Sequence, residues 1–371
     1  MNIPYKSKST YLLVLLTGLF YTVLSCNSKN ETPSAKEEVY VSESDRALLQ
    51  AANNFFAPLP EVAANPENVV TDDKVLLGKM LYYEPRLSKS SWISCNSCHN
   101  IATYGADNLP TSLGHQWNVG PRNAPTTLNA ALHFAQFWDG RAKDVEEQAQ
   151  GPILNPGEMA APHAEFAVDR IASMPEYVEL FNNAFPGDTN AVTYVNIANA
   201  IAAFERRLMT PSRFDQFLNG NVTALSDREK NGLQTFIDVG CIQCHTTATV
   251  GGTSYQKVGV YQPYWELTGS KIHDEGRFEV TQVEEDKYFF KVPSLLNVTQ
   301  TYPYFHDGSV WDLNKVIEYM AEMQLNKKLN EVEVFQIAAF LGSLTGEIPA
   351  FARELPILPA STDKTERPSF D

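Results

Sequence analysis

Two five-residue runs constrain this chain more than anything else in it: Cys95-Asn96-Ser97-Cys98-His99 and Cys241-Ile242-Gln243-Cys244-His245. Two thiols three positions apart, followed at once by an imidazole, form the C-x-x-C-H pattern of covalent haem attachment. The thiols add to the porphyrin vinyl groups, and the adjacent His turns back to bind the iron. A single run of this kind also fits a redox dithiol or half of a zinc site. Two copies, each followed directly by His, point to a chain that carries two covalently bound haem c groups.

The fifth cysteine, Cys26, closes Val23-Leu24-Ser25-Cys26, after an apolar run from Tyr11 to Leu24 that Lys6 and Lys8 precede. This pattern predicts a lipoprotein signal over 1–25, cleaved before Cys26 with lipidation of its thiol; a plain signal or an uncleaved anchor are the other readings. Residues 26–41, rich in Ser, Asn, Lys and Glu, read as a flexible tether. The expected location is the periplasm, with membrane contact through the N-terminal lipid only. With one cysteine in the lipobox and four in the haem motifs, none remains for a disulfide. Loss of the leader's two lysines takes the formal charge from −15 to −17. That balance argues against nucleic acid as a partner; it would steer a basic donor protein, or simply keep the chain soluble.

Hydrophobic residues make up 43% of the 371, ample for the cores of two domains. Thr71-Asp72-Asp73 predicts a cap for a helix to about Tyr83, with Val75, Leu76, Met80 and Leu81 on its apolar face. A turn-rich stretch and the first haem motif follow. Ser226-Asp227-Arg228-Glu229 is a capping box opening a second helix, with Leu233 and Phe236, that runs into the second motif. Residues 165–220 also read as helical. A helix leading into a haem motif, used twice, predicts a mainly α fold: two cytochrome c-like haem domains packed around a shared interface. The expected bounds are 42–220 and 221–345, with 346–371 as a tail packing back.

Several further motifs are specific. They are Pro110-Thr111-Ser112-Leu113-Gly114-His115, Gly120-Pro121-Arg122-Asn123-Ala124-Pro125-Thr126, Phe137-Trp138-Asp139-Gly140-Arg141, Gly151-Pro152-Ile153-Leu154-Asn155-Pro156-Gly157-Glu158-Met159 and Pro303-Tyr304-Phe305-His306-Asp307-Gly308. In this order, around the two haem motifs, they closely resemble the bacterial di-haem cytochrome c peroxidases, over nearly all of the chain after the leader.

The resemblance implies roles for particular residues. His115, 16 residues after His99, matches a distal ligand of the first haem that is bound in the resting oxidised state and leaves on activation. Glu158 matches the catalytic carboxyl group, which peroxide chemistry needs in order to move a proton from the near oxygen to the far one. Trp138 matches a residue between the haems that assists electron transfer, and by its apolar neighbours it is also a packing residue. Met320, 14 residues after His306, matches the thioether ligand of a high-potential second haem, with Met323 as the nearby rival. Met159 reads as packing, and His133 and His163 as ordinary core or surface histidines. Asn123 with the carbonyls of Thr301 and Pro303 matches a calcium site between the domains. Leu296 stands where the family commonly has Arg. That leaves the partner of a haem propionate open, with Lys291 or Arg277 able to substitute.

The implied activity is reduction of hydrogen peroxide to water with electrons from a small c-type cytochrome or cupredoxin, in a homodimer. A di-haem electron carrier without catalysis is one alternative. A MauG-like oxidase of a partner protein is another, against which Met320 counts, because those enzymes carry Tyr there.

Overall fold

The computed structural model describes residues 41–371; the expectations for 1–25, for the tether up to residue 40 and for Cys26 lie outside them. Eight helices of two turns or more carry the structure. They are α1 (Glu43–Asn53), α2 (Asp72–Tyr82), α3 (Ala164–Ala172), α4 (Pro175–Ala184), α5 (Tyr194–Glu205), α6 (Asp227–Val239), α7 (Leu313–Leu325) and α8 (Glu331–Ser343). Their starts follow from local chemistry. Thr71 accepts from the backbone N–H of Lys74 at the head of α2, and full capping boxes open α6 at Ser226 and α8 at Asn330. The one sheet among the described residues is an antiparallel pair, β1 (Tyr255–Lys257) and β2 (Phe289–Lys291), with Tyr255 opposite Lys291.

Two helix crossings repeat the same device. Gly78 of α2 lies so close to α5 that a Cβ there would meet the Ala200 carbonyl oxygen at 1.8 Å, beside Phe204. Gly232 of α6 meets α8 in the same way: a Cβ would fall 2.0 Å from the Gln336 carbonyl oxygen, beside Phe340. Each crossing thus joins a glycine to a backbone carbonyl and to the Phe four residues further on. A haem motif follows each glycine-bearing helix. Gly240, left-handed at φ 100°, caps α6 and turns the chain directly into Cys241. The close approach also explains why Leu77 is fully buried on α2 while Leu76, expected on the apolar face, is half exposed.

Each crossing sits in its own hydrophobic core. The first gathers Leu81, Phe166, Phe181, Ile201 and Phe204; the second gathers Phe217, Leu233, Phe236, Ile337 and Phe340. Core membership does not follow a cut at 220/221. Leu48 and Ala52 of α1, with Phe56, belong to the second core, as do Phe214 and Phe217. Ile348 and Ala352 of the tail belong to the first. The chain ends therefore cross over, because their apolar residues find shape-matched partners there that the linear order does not reveal. Further along the tail, Arg170 donates to the Arg367 carbonyl at 2.8 Å.

Because neither crossing has room for a methyl group, Gly232→Ala should destabilise the second core by about 1–3 kcal/mol, the usual cost of overpacking. Gly187→Ala, with nothing within 4 Å of the added Cβ, should be neutral. Chemical denaturation followed by haem absorbance checks this; equal midpoints for the two variants would contradict the crossing.

Candidate functional site

The second motif opens into a mostly apolar cavity of about 240 Å³, walled by Cys241, Cys244, His245, Trp138, Lys291 and Met320 among others. The imidazole of His245 is oriented by its Nδ1, which donates to the Val250 carbonyl at 3.2 Å and leaves the Nε2 lone pair free. Burial pushes its pKa down to about 4, so the ring is neutral and its lone pair free at ordinary pH. Across the cavity α7 presents Leu313, Val316, Ile317 and Met320, a stripe at helical spacing. Met320 therefore faces the cavity, whereas Met323 is fully buried in a satellite core with Tyr264 and Tyr304.

Around the first motif the same orienting bond recurs. His99 Nδ1 lies 2.9 Å from the Pro125 carbonyl, and the Tyr82 hydroxyl donates to the His99 carbonyl at 2.5 Å. His115 is 5% exposed, and neither of its ring nitrogens has a hydrogen-bond partner. A buried imidazole in that condition is costly unless something else takes up its lone pair. Its backbone N–H donates to the Glu158 carbonyl at 2.7 Å. Gly114 permits this contact, since a Cβ there would sit 1.9 Å from the Gly157 oxygen. The loop beyond is strained, with Gln116 and Trp117 both left-handed at φ 57° and 62°.

Glu158 lines a second cavity, of about 290 Å³, with Phe137, Arg141, Gly151, Pro152 and Asn155. Asn155 Nδ2 donates to Glu158 Oε1 at 2.8 Å. Burial raises the carboxyl pKa, against the opposing pull of Arg141 and Asn155. Met159 is buried in the first core, a packing residue as expected.

The two cavities share a wall. Phe137 borders both. Trp138 follows it, donating from Nε1 to the Asn123 carbonyl at 2.9 Å and accepting from the Lys291 N–H at 2.7 Å. Pro125, which orients His99, also lines the cavity of the second motif, as do Asn123, Thr301 and Pro303. Asn123 Nδ2 is engaged by the Leu109 carbonyl, which turns its Oδ1 away as a spare oxygen donor.

The residues fit covalently held haem on the chain's own features. Two thiols and an oriented imidazole converge at each motif, an apolar cavity opens beside the second, and an unpartnered buried imidazole stands at the first. A redox dithiol fits poorly, because such a pair needs a lowered thiol pKa. Burial instead pushes Cys98 up to about 11 and Cys241 up to about 12. Among the described residues no three His, Cys, Asp or Glu side chains gather as a metal site of their own, as zinc would require.

Sequence reasoning gives no functional role to Arg141, His133, His163 or Glu205. Arg141 reaches Glu158's cavity, and its guanidinium stacks 3.5 Å over Phe137. His133 is half-buried against Lys291, while His163, exposed, caps α3. Arg206 pairs with Glu146 at 2.6 Å, leaving the neighbouring Glu205 carboxyl buried near Cys95 and Tyr82. Only the W-D-G-R motif hinted at Arg141, and nothing local marked the others.

A mainly α chain with two C-x-x-C-H centres is a c-type di-haem protein by construction. The family model described as di-haem cytochrome c peroxidase matches residues 72–223. The cytochrome c551 peroxidase of Nitrosomonas europaea is 50% identical over 322 residues, covering 86% of this chain and 92% of that protein. That of Pseudomonas aeruginosa is 45% identical over 326 residues, covering 87% and 93%. The crystal structure of a MauG-like protein associated with microbial copper homeostasis superposes with a TM-score of 0.71 at 27% identity, over 80% of this chain and 97% of that one. The chain belongs to the di-haem cytochrome c peroxidase family.

Burial, reinforced by Glu146 and opposed by Arg206, pushes Glu205 up to about 8. The folded state thus holds a proton that the unfolded chain releases near 4.5, so stability should fall as pH rises between those values. The slope from this one group is about 1.4 kcal/mol per pH unit at most. Glu205→Gln should flatten the decline in denaturation midpoint from pH 5 to 8; an unchanged slope would contradict it.

Proposed function

We propose that this oxidoreductase is a periplasmic peroxidase that reduces hydrogen peroxide to water with electrons from a small c-type cytochrome or a cupredoxin. The observation that carries the reading is the inequality of the two centres. Met320 stands on the wall of one, whereas the other faces an unpartnered imidazole and a half-buried carboxyl group. Cys95, Cys98 and His99 would hold one haem, with His115 as its second ligand at rest; Cys241, Cys244, His245 and Met320 would hold the other. When bound, haem supplies an iron that accepts peroxide at an open position and passes single electrons.

The remaining chemistry belongs to the chain. Reduction of peroxide to two waters takes two electrons and two protons. Glu158, its pKa raised by burial and its Oε1 held by Asn155, is the group placed to take a proton from the near oxygen and hand it to the far one. Arg141 limits that rise in pKa and keeps the carboxylate form accessible. The left-handed Gln116 and Trp117 make the His115 loop a strained segment able to release its imidazole. Trp138, hydrogen-bonded into the shared wall, would assist electron transfer between the halves.

Calcium belongs to the proposal, with Asn123 and the carbonyls of Thr301 and Pro303 as oxygen donors. So does a homodimer, for which the exposed Trp92 and Trp117 beside the His115 loop supply an apolar face. A lipid anchor at Cys26 completes it, with haem domains over 42–220 and 221–345 whose end segments pack into the opposite core. A pure electron carrier has no use for the Glu158 cavity, and a MauG-like oxidase would not carry Met320.

Glu158→Gln should lower peroxide turnover with a reduced donor by roughly 10²–10⁴-fold, the usual worth of a positioned acid–base group. Both haems should remain attached. The acid limb of the wild-type pH–rate profile should lie above the ordinary Glu range and vanish in the variant. Unchanged turnover would sink the assignment.

A further inference from the structure

The wall of the mostly apolar cavity beside the second motif contains one Lys or Arg and no Asp or Glu among the described residues, and that cation is Lys291. It stands at the end of β2, 6% exposed, with its ammonium 3.0 Å from His133 Nδ1. Because Nδ1 accepts there, the His133 proton sits on Nε2, which is buried and has no partner. His306 Nε2, on the same wall, is buried and unpartnered too. The pair is held from outside by Gly252, where a Cβ would come within 2.3 Å of the His133 ring. A buried ammonium with three donors and one neutral partner is incomplete; it calls for an anion from within the cavity.

Two other positions could have met that anion. Leu296 is buried in the second core and off the cavity wall, where its neighbour Leu295 stands instead. Arg277 spends its guanidinium on the Asp139 carbonyl at 3.1 Å and the Tyr255 hydroxyl at 2.7 Å, also away from the cavity.

We propose that Lys291, positioned by His133, binds a carboxylate of the haem held at Cys241–His245, the contact that Leu296 cannot make. The inference rests on that motif holding a haem, as read above. A carboxylate near the iron favours the ferric state, and the cation beside it offsets that charge. Removing the cation should therefore make this haem harder to reduce.

The test is a spectroscopic redox titration of the holoprotein carrying Lys291→Met, which keeps the length of the buried stem, or Lys291→Gln, with Lys291→Arg and Arg277→Gln beside them. Haem staining counts the covalent haems independently. At a fixed potential, the ratio of reduced to oxidised high-potential haem should fall about tenfold in the first two variants, equivalent to about 59 mV for a one-electron couple. Lys291→Arg should restore it, and Arg277→Gln should leave it alone. An unchanged ratio in both neutral variants, or the fall appearing with Arg277→Gln instead, would overturn the proposal. Lack of peroxide turnover in wild type would refute the peroxidase reading and leave this one standing; absence of the second haem would refute both.

Discussion

The contact on which the rest of this structure depends is backbone against backbone at Gly78 and Gly232. Each glycine lets a helix from the front of one half lie directly on a carbonyl from its back, with Phe204 or Phe340 sealing the joint. Once the pairs are locked, the residues leaving α2 and α6 have few routes available, and both haem motifs are delivered to the edge of a packed core. Both motif histidines then have Nδ1 against a backbone carbonyl. That bond fixes which nitrogen is left to act as a ligand.

On this repeated frame the two halves diverge by what faces the histidine. In the second, helix α7 carries a thioether on a rigid apolar stripe. In the first, an imidazole rides on a strained loop tied to Glu158 by a backbone hydrogen bond from His115 and by the close packing of Gly114 on Gly157. A helix suits a ligand that stays and a loop suits one that goes. The same hydrogen bond joins the His115 loop to the backbone of Glu158, so that on the proposed reading release of the imidazole and proton handling would be mechanically linked. Phe137, which borders both cavities, and Pro125, which orients His99 and lines the cavity of the second motif, join the two centres while leaving each its own surroundings.

Much of this was legible in the sequence, for identifiable reasons. Caps at Thr71 and Ser226 announce helices because they satisfy local donors, and C-x-x-C-H spacing announces haem because covalent chemistry demands it. Met320 rather than Met323 follows from the family motif, which supplies a register that helix periodicity alone leaves free, and Met320 is the one that faces the cavity. Other features were hidden because they depend on contacts far apart in the chain. Leu76 and Leu77 are equivalent to a hydrophobicity count, and only the close approach at Gly78 decides which is buried. The exchange of chain ends between cores, the isolation of Glu205 and the meeting of Lys291 with His133 across 158 residues leave no local trace.

The central claim is that two haems on one scaffold do different jobs, and a combined redox titration and electron paramagnetic resonance experiment on the native protein tests it most directly. The account predicts two separate one-electron steps, the upper one at a thioether-ligated haem. After that first electron, the signature of a second imidazole at the other haem should disappear. Two equivalent haems titrating together, or a low-potential haem that keeps both imidazoles after half-reduction, would contradict it.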